Sequence, residues 1–403
     1  MDRPQYEVAD VFRLHAASFE EAFGRSLSWQ QQKVTRAIIQ CRTAALGGHV
    51  EECNNCGCVC IAYNSCRNRH CPKCQSLARA RWLEARRAEL LPLEYFHVVF
   101  TVPDTVATLA LQNRHVIYGI LFRTVADTLL RIATDPQHLG AEIGFLAVLH
   151  TWGSNLLHHP HVHCVVPGGG LSLDGHRWVT ARKGFFLPVR VLSRLFRGLF
   201  LAALQKAFDT GRLDFFGDLA PLADPAAFPT WLKAHWKTDW VVYCKRPFGG
   251  PEQVLEYLGL YSHRVAIANS RLLNVTEDAV TFRWKDYRNH NPHATMTLKP
   301  HEFMRRFLLH TLPPGFVRIR HFGLLANRHR HAKLATCRKL LQVPSPPQPG
   351  GDATLLDWKQ RYELLTGHPI DLCPSCQQGR MQIIQVLDPV LSPRPPPVRI
   401  DSS

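Results

Sequence analysis

His161-Val162-His163 begins an apolar and β-branched run that continues as Cys164-Val165-Val166. The β-branched residues predict a strand. Successive side chains of a strand point to opposite faces, so the two histidines share one face and Val162 points into the core. Two imidazoles on one face are able to hold a single cation. We therefore predict a metal half-site on a strand that is packed on its other face.

This half-site needs a third ligand, and the sequence leaves two candidates open. His159 lies on the same face by parity, but at about 3.3 Å per residue it is about 13 Å from His163 on an extended strand, unless Pro160 bends the chain. Gln253, on a separate predicted helix, is the other candidate. A plainer interpretation, a His-rich surface loop, would suffice for an isolated His-x-His.

A glycine-rich turn follows the strand. Pro167 and Gly168-Gly169-Gly170 end the β-branched run. Glycine tolerates unusual dihedral angles and has no side chain to block a phosphate. We expect this turn to let a ligand approach the backbone closely.

The flanking sequence predicts more strands and helices. Tyr95 to Val102 is β-branched and aromatic and ends before Pro103, and Phe145 to Trp152 is placed to pair with His161 to Val166 as a hairpin. Helical patterns are predicted at 10–46, 75–91, 116–133, 191–207 and 251–265. This order predicts an α+β fold with a mainly antiparallel sheet flanked by helices.

Composition narrows the class of protein. The 403 residues suffice for two or three domains, and a formal net charge of +16 favours a nucleic-acid or anionic-surface partner. No apolar run is long enough to span a membrane, and Met1 to Glu20 lacks the order of a signal peptide, so we expect a cytoplasmic protein. Of the 13 cysteines, eight lie between Cys41 and Cys74, which in a reducing compartment indicates metal ligands.

The cysteine spacing predicts a structural zinc site. Cys53-x2-Cys56 and Cys71-x2-Cys74 are separated by fourteen residues, and two such pairs close a tetrahedral Zn²⁺ site. Additional ligands, a second ion or a different pairing stay open, with these candidates: His49, Cys58, Cys60, Cys66 and His70. Beside this module a basic set is predicted to contact DNA phosphates: Arg67, Arg69, Lys73, Arg79, Arg81, Arg86 and Arg87.

A pair of tyrosines follows about ninety residues after the histidines. Pro251 and Glu252 are typical of the first turn of a helix. On that helix Tyr257 and Tyr261 are four residues apart, with their Cβ atoms roughly 5–6 Å from one another. Two phenols on one face can be offered in turn to one metal-bound phosphate, although Tyr261 also fits a core stripe with Val254, Leu258 and Val265. Phenol has a pKa near ~10, so nearby positive charge must help remove its proton.

The histidine and tyrosine motifs together resemble a known family. His161-Val162-His163 with the glycine turn, followed by Tyr257-Leu258-Gly259-Leu260-Tyr261-Ser262-His263-Arg264, is similar to the two-tyrosine HUH transposases of the insertion-sequence ninety-one family. The segments Ser65 to Gln75 and Arg318 to Gly323 resemble that family too. The resemblance covers roughly residues 12 to 340.

The resemblance implies an HUH-type sheet and an enzyme that nicks one DNA strand. It implies Mg²⁺ or Mn²⁺ at His161 and His163, and nucleophilic roles for Tyr257 and Tyr261 that leave a 5′-phosphotyrosine and a free 3′-hydroxyl. The expected partner is the single-stranded DNA at the ends of its own element. The element would move by a rolling-circle-like route, and the protein would be associated with a bacterial nucleoid. An HUH replication initiator or relaxase would use the same chemistry, and a zinc-dependent DNA-binding protein whose tyrosines only pack is the non-enzymatic alternative.

The C-terminal part offers weaker patterns. Cys373-x2-Cys376 is a half-site, a site completed by Cys337 or His368, or a plain turn. Basic residues are predicted to bind DNA around Arg318 and Arg320. We divide the chain into a helical and zinc-binding domain at 10–94, a catalytic domain at 95–340, and a Pro-rich linker, Cys-x2-Cys segment and disordered tail at 341–403.

Overall fold

A computed structural model describes residues 4–248, 253–254, 259, 266–286, 291–344, 360, 363 and 369–390. The α-helices are α1 (Val8–Phe23), α2 (Trp29–Gln40), α3 (Gln75–Arg87), α4 (Asp104–Gln112), α5 (Arg114–Thr134), α6 (Val189–Asp209), α7 (Ala227–Trp236), α8 (Pro300–Leu309) and α9 (Arg330–Leu340). The strands are β1 (Gly48–Cys53), β2 (Val59–Tyr63), β3 (Tyr95–Thr101), β4 (Ala141–Glu142), β5 (Gly144–Trp152), β6 (His158–Pro167), β7 (Gly169–Ser172), β8 (Trp178–Thr180), β9 (Val242–Phe248), β10 (Leu272–Val275), β11 (Val280–Asp286), β12 (Asn291–Leu298), β13 (Ile319–Gly323) and β14 (Met381–Leu387).

The central sheet has five strands in the order β13-β5-β6-β3-β9, and each neighbouring pair is antiparallel. The predicted strand beginning at Tyr95 and the predicted β5–β6 hairpin are both present, and so are the long helices α5 and α6. The predicted α+β class, with an antiparallel sheet flanked by helices, is confirmed.

One face of this sheet forms the main core. Val162, Cys164 and Val166 of β6 alternate into it, together with Phe100 of β3. Helices α4 to α7 supply the opposing side chains, among them the fully buried Phe196. Each large apolar side chain removed from water contributes about 1.5–3 kcal/mol to folding, so this packed face fixes the direction of the side chains on the other face.

The N-terminal helices pack on a separate core. Ser28 is the N-cap of α2 and forms a capping box, in which its side chain accepts a hydrogen bond from the Gln31 backbone amide and the Gln31 side-chain oxygen accepts one from the Ser28 backbone amide. Phe12 of α1 packs edge-on against Phe307 of α8, with ring centroids 5.4 Å apart. The three-stranded sheet β10-β11-β12 closes the same core.

The glycine-rich turn is a packed element, which corrects the prediction of an open ligand approach. Residues 169–172 form β7, the middle strand of the sheet β4-β7-β8. A Cβ atom at Gly169 would lie 2.4 Å from the Val179 carbonyl oxygen, and one at Gly170 would lie 2.4 Å from the Glu142 carbonyl oxygen. The glycines are needed because backbones, not a ligand, approach closely here.

Several predictions fall outside the described residues. Within the predicted helix at 251–265, Gln253, Val254 and Gly259 are helical, whereas Tyr257 and Tyr261 are not described. The predicted Pro-rich linker and tail also lie outside, apart from Pro344. Among the described helices none is long and apolar enough to cross a membrane.

Candidate functional site

Three histidines form a group that is able to hold one metal ion. His150 of β5 and His161 and His163 of β6 each offer a ring nitrogen, and these atoms lie within 4.8 Å of one another. The ring centroids are 4.3 Å apart for His150 and His163, and 4.8 Å apart for His161 and His163. Three protein ligands leave open coordination positions for water or substrate, as in catalytic metal sites.

Strand register explains why these residues meet. His150 is directly opposite His161 in the β5–β6 pair, and residues directly opposite in antiparallel strands point to the same face. His163 is two residues further along β6, again on that face. The prediction that His161 and His163 share a face opposite Val162 agrees with this register.

Hydrogen bonds orient two of the rings. His161 Nδ1 lies 2.6 Å from the His159 carbonyl oxygen, so that Nδ1 donates and Nε2 keeps its lone pair. His163 Nδ1 lies 2.8 Å from His97 Nε2 of β3. Such outer partners fix the tautomer and the direction of a metal-binding imidazole. His97 was not predicted as a site residue, although its position on a predicted strand of the sheet was a usable signal.

Burial keeps the ligands in the neutral form that metals require. Burial lowers the pKa of His161 to about 4. Burial, followed by positive charge at neighbouring histidines and Lys245, holds the pKa of His163 well below its usual value. At neutral pH both rings therefore carry a lone pair that is available for coordination.

His150 supplies the third imidazole, for which the sequence left His159 and Gln253 open. For His159 the prediction is wrong, because its ring is turned toward Asp104, with Nδ1 3.8 Å from a carboxylate oxygen. Only the backbone carbonyl of His159 contributes to the site, by accepting a hydrogen bond from His161. Gln253 is exposed on its helical segment, and the three imidazoles form a group without it.

The thiols form two clusters, not the single predicted site. Cys41, Cys66, Cys71 and Cys74 make one, here called the inner cluster, and Cys53, Cys56, Cys373 and Cys376 make the other, here called the outer cluster. In each, the sulfur atoms lie within 4.8 Å of one another. The predicted set Cys53, Cys56, Cys71 and Cys74 is therefore wrong.

The β1–β2 hairpin separates the two predicted pairs. Cys53 ends β1 at the tip of the hairpin. The chain returns along β2, and a hydrogen bond of 3.1 Å from the Arg42 amide to the Asn64 carbonyl holds that return beside the end of α2. The second pair is thereby brought to Cys41, which caps α2. Equal spacing in the sequence did not show which pairs share a site.

The inner cluster has the chemistry of a tetrahedral thiolate site. The Cys41 and Cys74 sulfurs are 3.1 Å apart, and those of Cys66 and Cys74 are 3.5 Å apart. Hydrogen bonds from the Cys66 and Cys71 thiols lower the pKa of Cys41 to about 7. Thiolates bind Zn²⁺ at the distances such a cluster allows. His70, predicted as an additional ligand, is buried and lies outside the group.

Two known families match parts of this chain. Residues 11–102 match the family described as "Transposase zinc-binding domain", and residues 144–333 match the family described as "Putative transposase". The protein "Putative transposase y4qJ" of Sinorhizobium fredii is 58% identical over 393 residues, which cover 98% of this chain and 98% of that protein. This chain belongs to the insertion-sequence ninety-one family of transposases.

Other similar proteins are more distant. The transposase for insertion sequence element IS801 of Pseudomonas savastanoi pv. phaseolicola is 29% identical over 325 residues, 77% of this chain and 73% of that one. The structure of TrwC with a 27-mer DNA matches at 16% identity with a TM-score of 0.22, over 62% of the transposase and 75% of that chain.

The arginines predicted to bind DNA fall into two groups in the transposase. Arg67 and Arg79 are exposed. Arg69 is part of the fold, since its Nη1 and Nη2 donate to the Phe316 carbonyl at 2.6 Å and the Pro313 carbonyl at 3.1 Å. Arg320 stacks on Phe122, with its guanidinium carbon 4.2 Å from the ring centroid.

Two further predicted arginines complete this set. Arg318 is half-buried, and burial lowers its pKa to about 10. The side chain of Arg81 lies outside the described residues. Among the described arginines of this set, the exposed side chains of Arg67 and Arg79 are therefore the better candidates for contacts with DNA phosphates.

Proposed function

We propose that the transposase nicks single-stranded DNA at the ends of its own element through a metal-assisted 5′-phosphotyrosine, and that it rejoins strands from that linkage in rolling-circle-like transposition. His150, His161 and His163 would hold the catalytic ion, and Tyr257 and Tyr261 would be the nucleophiles. The membership in a transposase family supports the class of reaction. The histidine group supports its chemistry.

One packing relationship carries the proposal. Val254 is fully buried and packs with Val148 and Val165, which project from the same face of the sheet as the three histidines. Val254 precedes Tyr257 by three residues, or about one helical turn. A Cβ atom at Gly259, between the tyrosines, would lie 3.0 Å from Leu83 of α3, whose side chain packs against the same cluster. Val254, three residues before Tyr257 in the sequence, thus lies on the histidine face.

The ligands fit a divalent ion. Three neutral imidazoles on two rigid strands need little rearrangement to bind it. Of the two proposed ions, Mn²⁺ accepts imidazole nitrogen more readily, whereas Mg²⁺ prefers oxygen ligands and gives up its water reluctantly. We therefore expect tighter binding of Mn²⁺. When bound, the ion would polarise the scissile phosphate and neutralise charge in the transition state.

The proposed cleavage conserves the energy of the phosphodiester. A tyrosine oxygen forms a bond to phosphorus while the bond from phosphorus to the 3′ oxygen breaks. The phenol loses its proton and the leaving 3′ oxygen gains one. The 5′-phosphotyrosine that results can be attacked by another 3′-hydroxyl, which restores a phosphodiester and releases the tyrosine without ATP.

Positive charge on the same face favours this step. Lys245 of β9 is exposed and lies directly opposite His97 in the β3–β9 pair, so its side chain leaves the sheet on the histidine face. A nearby cation lowers the cost of removing the phenolic proton. The net charge of +16 favours approach of a DNA strand from any direction.

Covalent trapping tests the proposal. The purified protein is incubated with Mn²⁺ and end-labelled single-stranded DNA that contains its element's terminal sequences, and a denaturation-resistant adduct is sought. We expect the adduct in the wild type and its loss in the Tyr257→Phe, Tyr261→Phe double variant. Tyr63→Phe is a matched control, because Tyr63 is exposed on β2 outside the central sheet.

Two results would contradict the proposal. An adduct that persists in the double variant would exclude both tyrosines, and Tyr243 would become the next candidate because it projects from the histidine face of β9. DNA binding with neither cleavage nor adduct on authentic ends would favour the non-enzymatic alternative.

A further inference from the structure

The outer cluster joins two distant parts of the chain. Cys53 and Cys56 lie beside β1, and Cys373 and Cys376 lie in the turn that precedes β14. The Cys53 and Cys376 sulfurs are 3.8 Å apart although the residues are 323 positions apart, and the Cys56 and Cys373 sulfurs are 3.7 Å apart. Two chelating pairs thus face each other across a gap of the size that one ion fills.

The two turns have the same backbone geometry. In the first, the Gly57 amide donates to the Cys53 carbonyl at 3.1 Å, and in the second the Gln377 amide donates to the Cys373 carbonyl at 3.0 Å. The residue after each second cysteine has positive φ, 66° at Gly57 and 53° at Gln377. A non-glycine residue in this conformation is uncommon, so its repetition at Gln377 indicates a turn shaped by a requirement shared with the first.

Backbone amides point at the sulfurs. The Asn55 and Cys56 amides lie 3.4 Å and 3.5 Å from Cys53 Sγ, and the Gly379 amide lies 3.3 Å from Cys376 Sγ. Amide donors stabilise a thiolate relative to a thiol. The cluster is therefore arranged for charged sulfur, the form that a metal ion binds.

The segment that contains the second pair has little apolar support of its own. β14 pairs with β1 from Met381 to Leu387, yet Ile383 and Ile384 are each 56% exposed and Val386 is 74% exposed. The only buried residues of the local core are two cysteines, Cys53 and Cys373, and Met381 among the described residues. A small three-stranded sheet with so small a core usually needs a metal or a disulfide.

We infer that Cys53, Cys56, Cys373 and Cys376 bind a second structural Zn²⁺, which holds the C-terminal segment 371–387 against the β1–β2 hairpin. The second pair lies beyond both matched family regions, so the zinc-binding domain shared with relatives does not include it. The inner cluster would bind its own ion independently. The transposase would then contain two structural zinc ions per chain.

Zinc content tests this inference on the full-length protein, purified under reducing conditions. We expect two zinc ions per wild-type chain by elemental analysis and one per chain in the Cys373→Ser, Cys376→Ser variant. The matched control is Cys58→Ser, Cys60→Ser, since these residues pack against the outer cluster without belonging to it, and it should keep two. Cys376→His supplies another zinc ligand and should also keep two.

Hydrogen exchange distinguishes local release of the C-terminal segment 371–387 from general unfolding. In the Cys373→Ser, Cys376→Ser variant the amides of β14 should exchange at least about tenfold faster, while those of β5 and β6 keep their protection. Two zinc ions in that variant would overturn the inference. So would one zinc ion in the wild type, or a Cys53–Cys376 or Cys56–Cys373 disulfide in the protein freshly isolated from the cytoplasm.

Discussion

The Nε2 atom of His97 lies 2.8 Å from the Nδ1 atom of His163, and the two rings stack with an interplanar angle of 7°. Both residues are buried, with 3% and 9% of their surface exposed. Burial lowers the pKa of His97 to about 3, so it is neutral. In the proposed metal site His163 Nδ1 would donate to the neutral His97, so that His163 Nε2 would coordinate the ion. We therefore propose His97 as a positioning residue.

Replacing His97 should weaken metal binding without removing a ligand. We expect His97→Ala to lower Mn²⁺ affinity by about 10–100-fold, the usual effect of losing an outer-shell partner. His97→Gln, whose amide oxygen can accept the same hydrogen bond, should recover part of the loss. Isothermal titration with Mn²⁺ measures both. Unchanged affinity in His97→Ala would show that His163 needs no such partner.

His150 and His159 provide a direct test of the third ligand. His150→Ala removes one of three imidazoles and should lower Mn²⁺ affinity by at least about 100-fold, since a first ligand matters more than an outer partner. His159→Ala is the matched control, because the carbonyl that orients His161 belongs to the backbone. Manganese electron paramagnetic resonance reports the bound fraction. Equal losses in the two variants would contradict the assignment of His150.

Arg69 and Arg67 should separate stability from DNA binding. Arg69→Ala removes two partly buried hydrogen bonds from a guanidinium to backbone carbonyls, so we expect the free energy of unfolding to fall by about 2–4 kcal/mol. Arg67→Ala should leave stability within about 0.5 kcal/mol and weaken binding to single-stranded DNA, with a shallower salt dependence. Urea unfolding and fluorescence anisotropy measure the two effects. Weaker DNA binding without a loss of stability in Arg69→Ala would instead assign Arg69 to the surface that binds DNA.

Glycines test the packed role of the turn after β6. Gly169→Ala places a Cβ atom 2.4 Å from the Val179 carbonyl, and such overpacking should cost about 1–3 kcal/mol of stability. Gly119→Ala in α5 is the control, because nothing lies within 4 Å of its added Cβ, and it should be neutral or stabilising by up to about 1 kcal/mol. Thermal unfolding compares them. A harmless Gly169→Ala would restore the interpretation of an open turn.

Local periodicity in the sequence was enough to predict the sheet around β6. The alternation at His161, Val162 and His163 fixed which side chains face the core, because a strand has a period of two. The third ligand depended on register, which that alternation does not contain. His150 was in a predicted partner strand, and pairing it opposite His161 would have found it.

The cysteine clusters show where sequence spacing stops being informative. Two Cys-x2-Cys pairs separated by fourteen residues fit one site equally well before the β1–β2 hairpin is known. Cys41 and Cys66 were the partners of Cys71 and Cys74, and Cys373 and Cys376 were the partners of Cys53 and Cys56. Pairing over more than 300 positions leaves no local pattern, although the unmatched third Cys-x2-Cys was a sign that one half-site lacked its partner.

Mass spectrometry of the trapped adduct identifies the residue that is linked to DNA. After cleavage of single-stranded element ends with Mn²⁺, nuclease trimming and trypsin digestion, we expect a nucleotide remnant on the peptide spanning residues 246–264, which contains both Tyr257 and Tyr261. Fragmentation should place the remnant on one of these two tyrosines. A remnant on any other peptide, or cleaved DNA with a free 5′-phosphate and no modified peptide, would contradict covalent catalysis by this pair.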